Sequence, residues 1–349
     1  MNTLHQLILR EVEILFRPFI HRKIVLPTRI VMAQERVPYA LSPLQMMQYY
    51  RQRAANEVGL ILTAPVAIDD PAAAADSKTP VFYGGTPLRT WKQICRLVHS
   101  THCKMAPLLL HAGMCRPTDG SAPNPQVPPI GPSGISPYSL ETCGEAMSQA
   151  RIEQVTDAYA RAAHMARELK FDAVEVHAAA GSLIDQFFRA ETNHRHDEYS
   201  AQPVSRTRFA TGIIHAIRKR VGKDFPLIFR FSQKGCGQCT HPLATKPEEL
   251  AEFLLPLRDA GVDIFHCTGE HFAKPEFDGS GLNLAGWVRI ITGKPVISTG
   301  EEATHNRANL QNLYRMLRSN EIDMVSLMGE LQDDPHWAHN LRQGNTPAG

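Results

Sequence analysis

The sequence predicts a closed (β/α)8 barrel, a TIM barrel, on three observations. Eight short apolar runs, several of them rich in β-branched residues, recur along the 349-residue chain, as strands buried on both faces do. Segments with helical apolar spacing lie between them. With 43% hydrophobic residues, the chain can bury a sizeable core. Strands alternating with helices imply parallel neighbours, and eight such units close into a barrel more readily than they form an open sheet. No solenoid-length repeat and no linker interrupts the pattern, so a single domain over residues 1–349 is expected.

The start, Met1 to Phe16, mixes His5, Arg10, Glu11 and Glu13 among leucines. It reads as an amphipathic N-terminal helix and lacks the uninterrupted apolar core of a signal peptide. Strands are expected at 29–33, 59–63, 105–110, 173–176, 227–231, 262–266, 296–298 and 323–327. Helices are expected at 151–169, 204–221, 246–260 and 306–318. Thr245-Lys246-Pro247-Glu248 reads as a helix start, with a hydroxyl cap candidate, a proline in the first turn and acid after it. Gly261 closes that helix ahead of the sixth strand. The long loop after strand three, Cys115 to Tyr138, is rich in proline, glycine and serine. A loop of that length over the barrel mouth is expected to be a lid.

Composition excludes several classes of function. A formal charge of +2 with no basic run among aromatics argues against nucleic acid. No apolar stretch is long enough to span a bilayer. Seven scattered cysteines fit reduced thiols and a cytoplasmic location. The partner left by elimination is a small molecule.

The stretch that organises the chain is Phe171-Asp-Ala-Val-Glu-Val-His177-Ala-Ala-Ala-Gly-Ser-Leu-Ile-Asp-Gln-Phe-Phe188. It runs from a buried strand through a histidine at the carboxyl end and a small-residue turn into a helix. An α/β enzyme places its chemistry at such a point, although a lone histidine there is also read as a capped or core residue. Together with Thr192-Asn193-His194-Arg195-His196-Asp197-Glu198-Tyr199, the stretch resembles the Old Yellow Enzyme family of FMN-dependent ene reductases. The likeness runs from about Leu15 to about Leu341. It implies the barrel fold, a substrate-covering excursion after strand three and paired subunits, hence a possible homodimer.

The resemblance also exposes departures. Where related enzymes have Ala-Pro-Met-Thr after strand one, this chain has Ala33-Gln34-Glu35-Arg36. Glu35 is read either as half of a solvated pair with Arg36 or as a general base in an enclosed pocket. Pro65 stands where the family's small residue donates an amide to the flavin, and proline has no N–H. Leu108 stands where a glutamine hydrogen-bonds the flavin's pyrimidine edge, at an expected cost of about 1–3 kcal/mol per unpaired polar atom. His-Ala-Gly (111–113) is retained. His177 is kept, but Ala180 replaces its partner and Ser182 replaces the tyrosine that donates a proton to the substrate.

Arg230 retains the family's flavin-contacting arginine, though an arginine at a strand end suits any anion or enolate. Cys236-Gly-Gln-Cys239-Thr-His241 invites a zinc or redox reading, but with no second pair at ligand spacing an ordinary reduced loop is expected. His266-Cys267 and the run Asn283 to Trp287 match one subgroup of the family. Glu270 and His271 are acid/base candidates or a surface pair. At the phosphate end the chain has Thr299-Gly300-Glu301-Glu302 and Met328-Gly329-Glu330. No arginine stands there, and two acidic turns around a dianion repel it.

The losses fall on flavin and substrate contacts, so the leading expectation is a repurposed barrel that binds FMN weakly or not at all. It performs acid/base, non-redox chemistry on a small enone-like or anionic molecule, with His177, Arg230 and Glu35 as its groups. The alternative is a working FMN-dependent NAD(P)H ene reductase, in which Ala33, Arg230, Gly300 and Gly329 are the cofactor positions. A non-catalytic binding protein is the third reading.

Overall fold

The computed structural model describes residues 11–33, 41–269, 272–299 and 307–345. Eight parallel strands close into a barrel: β3 (Ile30–Met32), β4 (Leu60–Ala67), β5 (Lys104–Leu110), β8 (Val174–Ala178), β9 (Leu227–Ser232), β10 (Ile264–Thr268), β11 (Val296–Thr299) and β12 (Met324–Leu327), the last pairing with the first. These are the eight expected strands, shifted by a few residues at their ends. β4 runs furthest beyond expectation. It passes through Pro65 at a register shift between Leu62 and Pro65, where a missing N–H costs no ladder bond.

Among the described residues, four strands lie outside the barrel. β1 (Phe19–His21) and β2 (Ile24–Leu26) form an antiparallel hairpin turning at Arg22, whose φ is +51°. Phe19, Ile24 and Leu26 pack with the inward residues Val31, Leu60 and Ile228 as one apolar cluster, so the hairpin plugs one end of the barrel. Of the expected N-terminal helix, the described part ends in a tight turn, Glu13–Phe16, with Leu15 and Phe16 buried. β6 (Ile130–Gly131) and β7 (Glu145–Ala146) pair within the excursion after β5.

The helices pack outside. Gln149–Glu168 and Pro247–Ala260 agree with expectation, whereas the helix expected from Val204 begins at Arg208. Ser148 caps the first by accepting from Arg151 N. The cap expected from Thr245 is not made. Lys246 occupies the cap position, and Thr245 instead donates its amide and hydroxyl to Glu249 at 2.9 Å each.

Three aspartates repeat one device at the amino ends of the strands. Each lies within two residues of the start of its own strand and accepts a first- or second-residue amide of the strand beside it. Asp172 takes Met105 N, Asp263 takes Leu227 N and Asp323 takes Val296 N, all at 2.9 Å. A buried strand-end amide has no water to turn to, so a carboxylate supplies the missing acceptor. Such fixtures at the amino-terminal end of a barrel serve stability.

Asp263 is the most enclosed of the three and is also paired with Arg218 and Arg22. Replacing Asp263 with Ala orphans a buried amide and a guanidinium. A loss of about 3 kcal/mol is expected in urea unfolding, while Asp224→Ala, at the exposed Lys23–Asp224 pair, is expected to leave the urea midpoint essentially unchanged.

Candidate functional site

A cavity of about 470 Å³ opens at the carboxyl ends of the strands, with Ala180, Arg230, Cys236, Thr268, Thr299 and Met328 in its wall. That volume lies in the range of small-molecule and cofactor sites. Beneath it, the inward-facing residues change from apolar to polar. Glu175 Oε1 meets His266 Nδ1 at 2.6 Å, and His266 Nε2 meets Ser326 Oγ at 3.0 Å. These residues come from β8, β10 and β12, which are not neighbours, so the contacts cross the barrel interior in the layered manner of this fold. All three side chains are fully buried.

Burial pushes the His266 pKa down against the pull of Glu175. The neutral ring then donates from Nδ1 to the carboxylate and accepts the Ser326 hydroxyl at Nε2.

His177 and Arg230 lie one step nearer the cavity. They are register partners on adjacent strands, and Arg230 is also the partner of His266. Both are nearly enclosed, at 8% and 3% exposure. Burial, then the positive charge of Arg230, holds the His177 pKa well below its ordinary value, so this imidazole is neutral. Its Nδ1 is buried with no hydrogen-bond partner among the described residues. A buried polar atom without a partner costs free energy unless a ligand supplies one.

Ser182 does not face the cavity with a free hydroxyl. Its Oγ donates to the His177 carbonyl at 3.0 Å, closing the turn in which Ala180 and Gly181 have φ of +51° and +76°. Leu108 is fully buried, pairs in register with Glu175, and its N–H goes to Thr63 Oγ1 at 3.1 Å.

The other retained motifs are structural. His111 is fully buried, accepts Gly113 N at Nδ1 (3.0 Å) and meets Asp70 through Nε2 (3.2 Å). Within the Thr192–Tyr199 motif, Asn193 Nδ2 donates to the carbonyls of Phe187 and Tyr199 at 2.8 Å each. His194 N reaches Ser133 Oγ at 2.8 Å and Arg195 reaches Pro132 O at 3.1 Å, which clasps the excursion. Asn283 caps the helix Leu284–Thr292 by accepting Gly286 N.

In the Cys-x-x-Cys segment, Cys239 N closes a turn on Cys236 O, and Gln238 N takes Pro137 O of the excursion at 2.8 Å. His241 points away to Glu191 at 2.8 Å.

Of the residues the sequence singled out, His177 and Arg230 are brought together. Ala33 packs in the apolar cluster below the site. Gly329 opens a short helix, Gly329–Asp333, with free space where a β-carbon would stand. Glu35, Glu270, His271 and Gly300 lie outside the described residues. The sequence reading passed over Glu175 and Ser326. The available signal was a polar residue at even spacing from His177 inside a buried strand.

The chain matches the model of the NADH:flavin oxidoreductase / NADH oxidase family over residues 14–347. An NADPH dehydrogenase of Geobacillus sp. (strain WCH70) is 27% identical over 351 residues, covering 93% of this chain and 92% of the relative. An NADH oxidase of Thermoanaerobacter brockii is 28% identical over 308 residues, 86% of this chain but 46% of the relative, so the chain spans about half its length. Among solved structures, the old yellow enzyme from Trypanosoma cruzi superposes with a TM-score of 0.79 at 19% identity, covering 97% and 94% of the two chains. Morphinone reductase gives 0.78 at 23% identity, covering 95% and 89%. Both are similar in fold.

These findings correct two expectations. The non-redox reading and the reading of absent or weak FMN are overturned by the family match and by relatives named NADPH dehydrogenase and NADH oxidase. The polar groups kept in the sequence, Arg230 in the cavity wall and His177 beside it in register, are those the structure brings together. A mouth-facing cavity, a neutral histidine with an unpartnered Nδ1, a buried arginine and free space at Gly329 fit a flat polar heterocycle with an anionic tail.

Asp70 gives the region a pH signature. Burial pushes its carboxyl up, but hydrogen bonds from His111 and Arg151 outweigh this and hold it far below the ordinary range. A depressed folded-state pKa gives stability that is fully present above about pH 4 and is lost as pH falls through the folded value. The difference in urea midpoint between wild type and Asp70→Asn is therefore expected to shrink below about pH 4. A constant difference would show that the carboxylate contributes nothing by its charge.

Proposed function

The chain belongs to the NADH:flavin oxidoreductase / NADH oxidase family, and on that premise we propose that it is an FMN-dependent reductase. It takes reducing equivalents from NADH or NADPH and acts on small molecules with an enone-like double bond. The observation that carries this reading is the buried pair at the mouth, neutral His177 with an unpartnered Nδ1 beside Arg230. When bound, FMN supplies hydride transfer from the nicotinamide to the substrate.

The chain's own residues bind and polarise. Arg230, permanently charged, is placed to hold an electron-rich heterocycle edge and to steady negative charge that develops there. His177 is neutral, so it serves as a hydrogen-bond donor to a substrate carbonyl and does not transfer a full charge. The Glu175–His266–Ser326 relay keeps the floor beneath them rigid and fixes the ring of His266. Gly329 leaves room for a phosphate tail. The excursion after β5, clasped by His194 and Arg195, is read as the lid that keeps water from the site. A homodimer and a cytoplasmic location belong to the same reading, the second supported by seven cysteines without a disulfide.

The test is NAD(P)H consumption by protein saturated with FMN, against a panel of cyclic enones. Wild type is expected to consume NAD(P)H in an enone-dependent way. Arg230→Ala is expected to weaken FMN retention about tenfold or more, the loss of one charged hydrogen bond. His177→Ala is expected to raise the KM for enones with FMN still bound. Enone turnover undiminished in both variants would remove these residues from the site.

A further inference from the structure

Reduction of an enone needs more than a hydride. NAD(P)H provides the hydride equivalent that ends on the β-carbon, and the α-carbon needs a proton from an acid in the wall. His177 is neutral and buried, and the Ser182 hydroxyl is already given to the His177 carbonyl. Cys267 is buried and its thiol is pushed far up. Glu276 accepts from Gln233 at 2.9 Å. Among the described residues of the wall, Cys236 is a partly exposed acid beside the His177 turn.

Its placement is built by packing. A β-carbon on Gly181 would lie 2.1 Å from Cys236 Sγ and 3.0 Å from Cys115 Sγ. The glycine is thus required for the thiols to sit against the turn that ends at the cavity. Cys115 Sγ lies 3.9 Å from Cys236 Sγ and 3.1 Å from Gly181 O. Tyr138, carried by the excursion, neighbours both sulfurs. Tyr138 rests on Gly237, whose φ is +59° and where a side chain would strike the ring.

We propose that Cys236 is the catalytic acid of this barrel, giving its thiol proton to the α-carbon of a reduced enone. This rests on the reductase reading above. The electron pair of the enolate forms the new C–H bond, the S–H bond breaks, and the thiolate is left facing Cys115 and Tyr138. Cys115 turns its one S–H from Gly181 O toward the thiolate and stabilises it, and a proton from solvent restores the thiol. The sum is NAD(P)H, a proton and the enone giving NAD(P)+ and the saturated ketone. The hydrogen bond from Cys115, outweighing burial, already draws the Cys236 pKa below its ordinary value. The acid is therefore expected to be spent at a lower pH than an isolated thiol.

The experiment compares two acceptors with FMN-saturated protein and NAD(P)H. Ferricyanide takes electrons and needs no carbon-bound proton, whereas 2-cyclohexenone needs one. In Cys236→Ala the ratio of enone to ferricyanide turnover is expected to fall about 100-fold, the usual contribution of a general acid, and Cys236→Ser is expected to recover little of it. An unchanged ratio overturns the proposal. Wild type supplies the second readout. Its enone turnover is expected to show an alkaline limb below the ordinary thiol pKa of about 8.5 that ferricyanide turnover lacks, and absence of that limb also overturns the proposal. If wild type reduces neither acceptor, the reductase reading itself fails, and the role of Cys236 with it.

Discussion

The period of two along a strand, enforced by closure, is the constraint on which the rest of this molecule depends. In a closed barrel every second side chain must point into a space shared with seven other strands. The lower inward positions, among them Val31, Leu62, Ala106, Ile228 and Ile297, are apolar and pack with the hairpin plug. One step up, the same parity places Glu175, His266 and Ser326 in contact across the interior. A buried carboxylate is tolerable only with a partner, so the relay must be complete for the layer to exist. His177 and Arg230 stand on that floor with little freedom to move.

The walls are fixed by a second network. Gln186 ties Met114 N to the carbonyls of Ala112 and Gly181, which joins the loop after β5 to the turn after β8. Asp185 accepts Gly181 N and pairs with Arg189, which reaches the carbonyls of Ser232 and Gln233 after β9. Three loops are thereby locked to one short helix, Leu183–Phe188. The two thiols and Tyr138 lie where those loops meet, so their geometry follows from the same scaffold.

Much of the barrel was legible in the sequence, because buried parallel strands leave continuous apolar runs and the helices between them keep their period. The hairpin β1–β2 was not, since its strands have three residues each and its outward side chains, Ile20 and Val25, are apolar yet exposed. His177 and Arg230 were found through the family likeness and their places at strand ends. Glu175 and Ser326 were hidden because their partner lies about 91 and 60 residues away along the chain, a separation that no local pattern encodes. The redox function was not legible because the sequence changes at Pro65, Leu108 and Ser182 stand beside an intact polar pair, His177 and Arg230, whose register on adjacent strands only the fold shows. Backbone amides also contribute to such sites without regard to the side chain they carry.

A barrel mouth with a rigid polar floor, a neutral histidine and a buried guanidinium makes sense as a cofactor cradle only if the cofactor stays. The decisive measurement is the visible absorption spectrum of the purified protein after saturation with FMN and gel filtration. A retained flavin band at near-stoichiometric occupancy is the predicted result. A colourless protein that releases all added FMN would contradict the central claim.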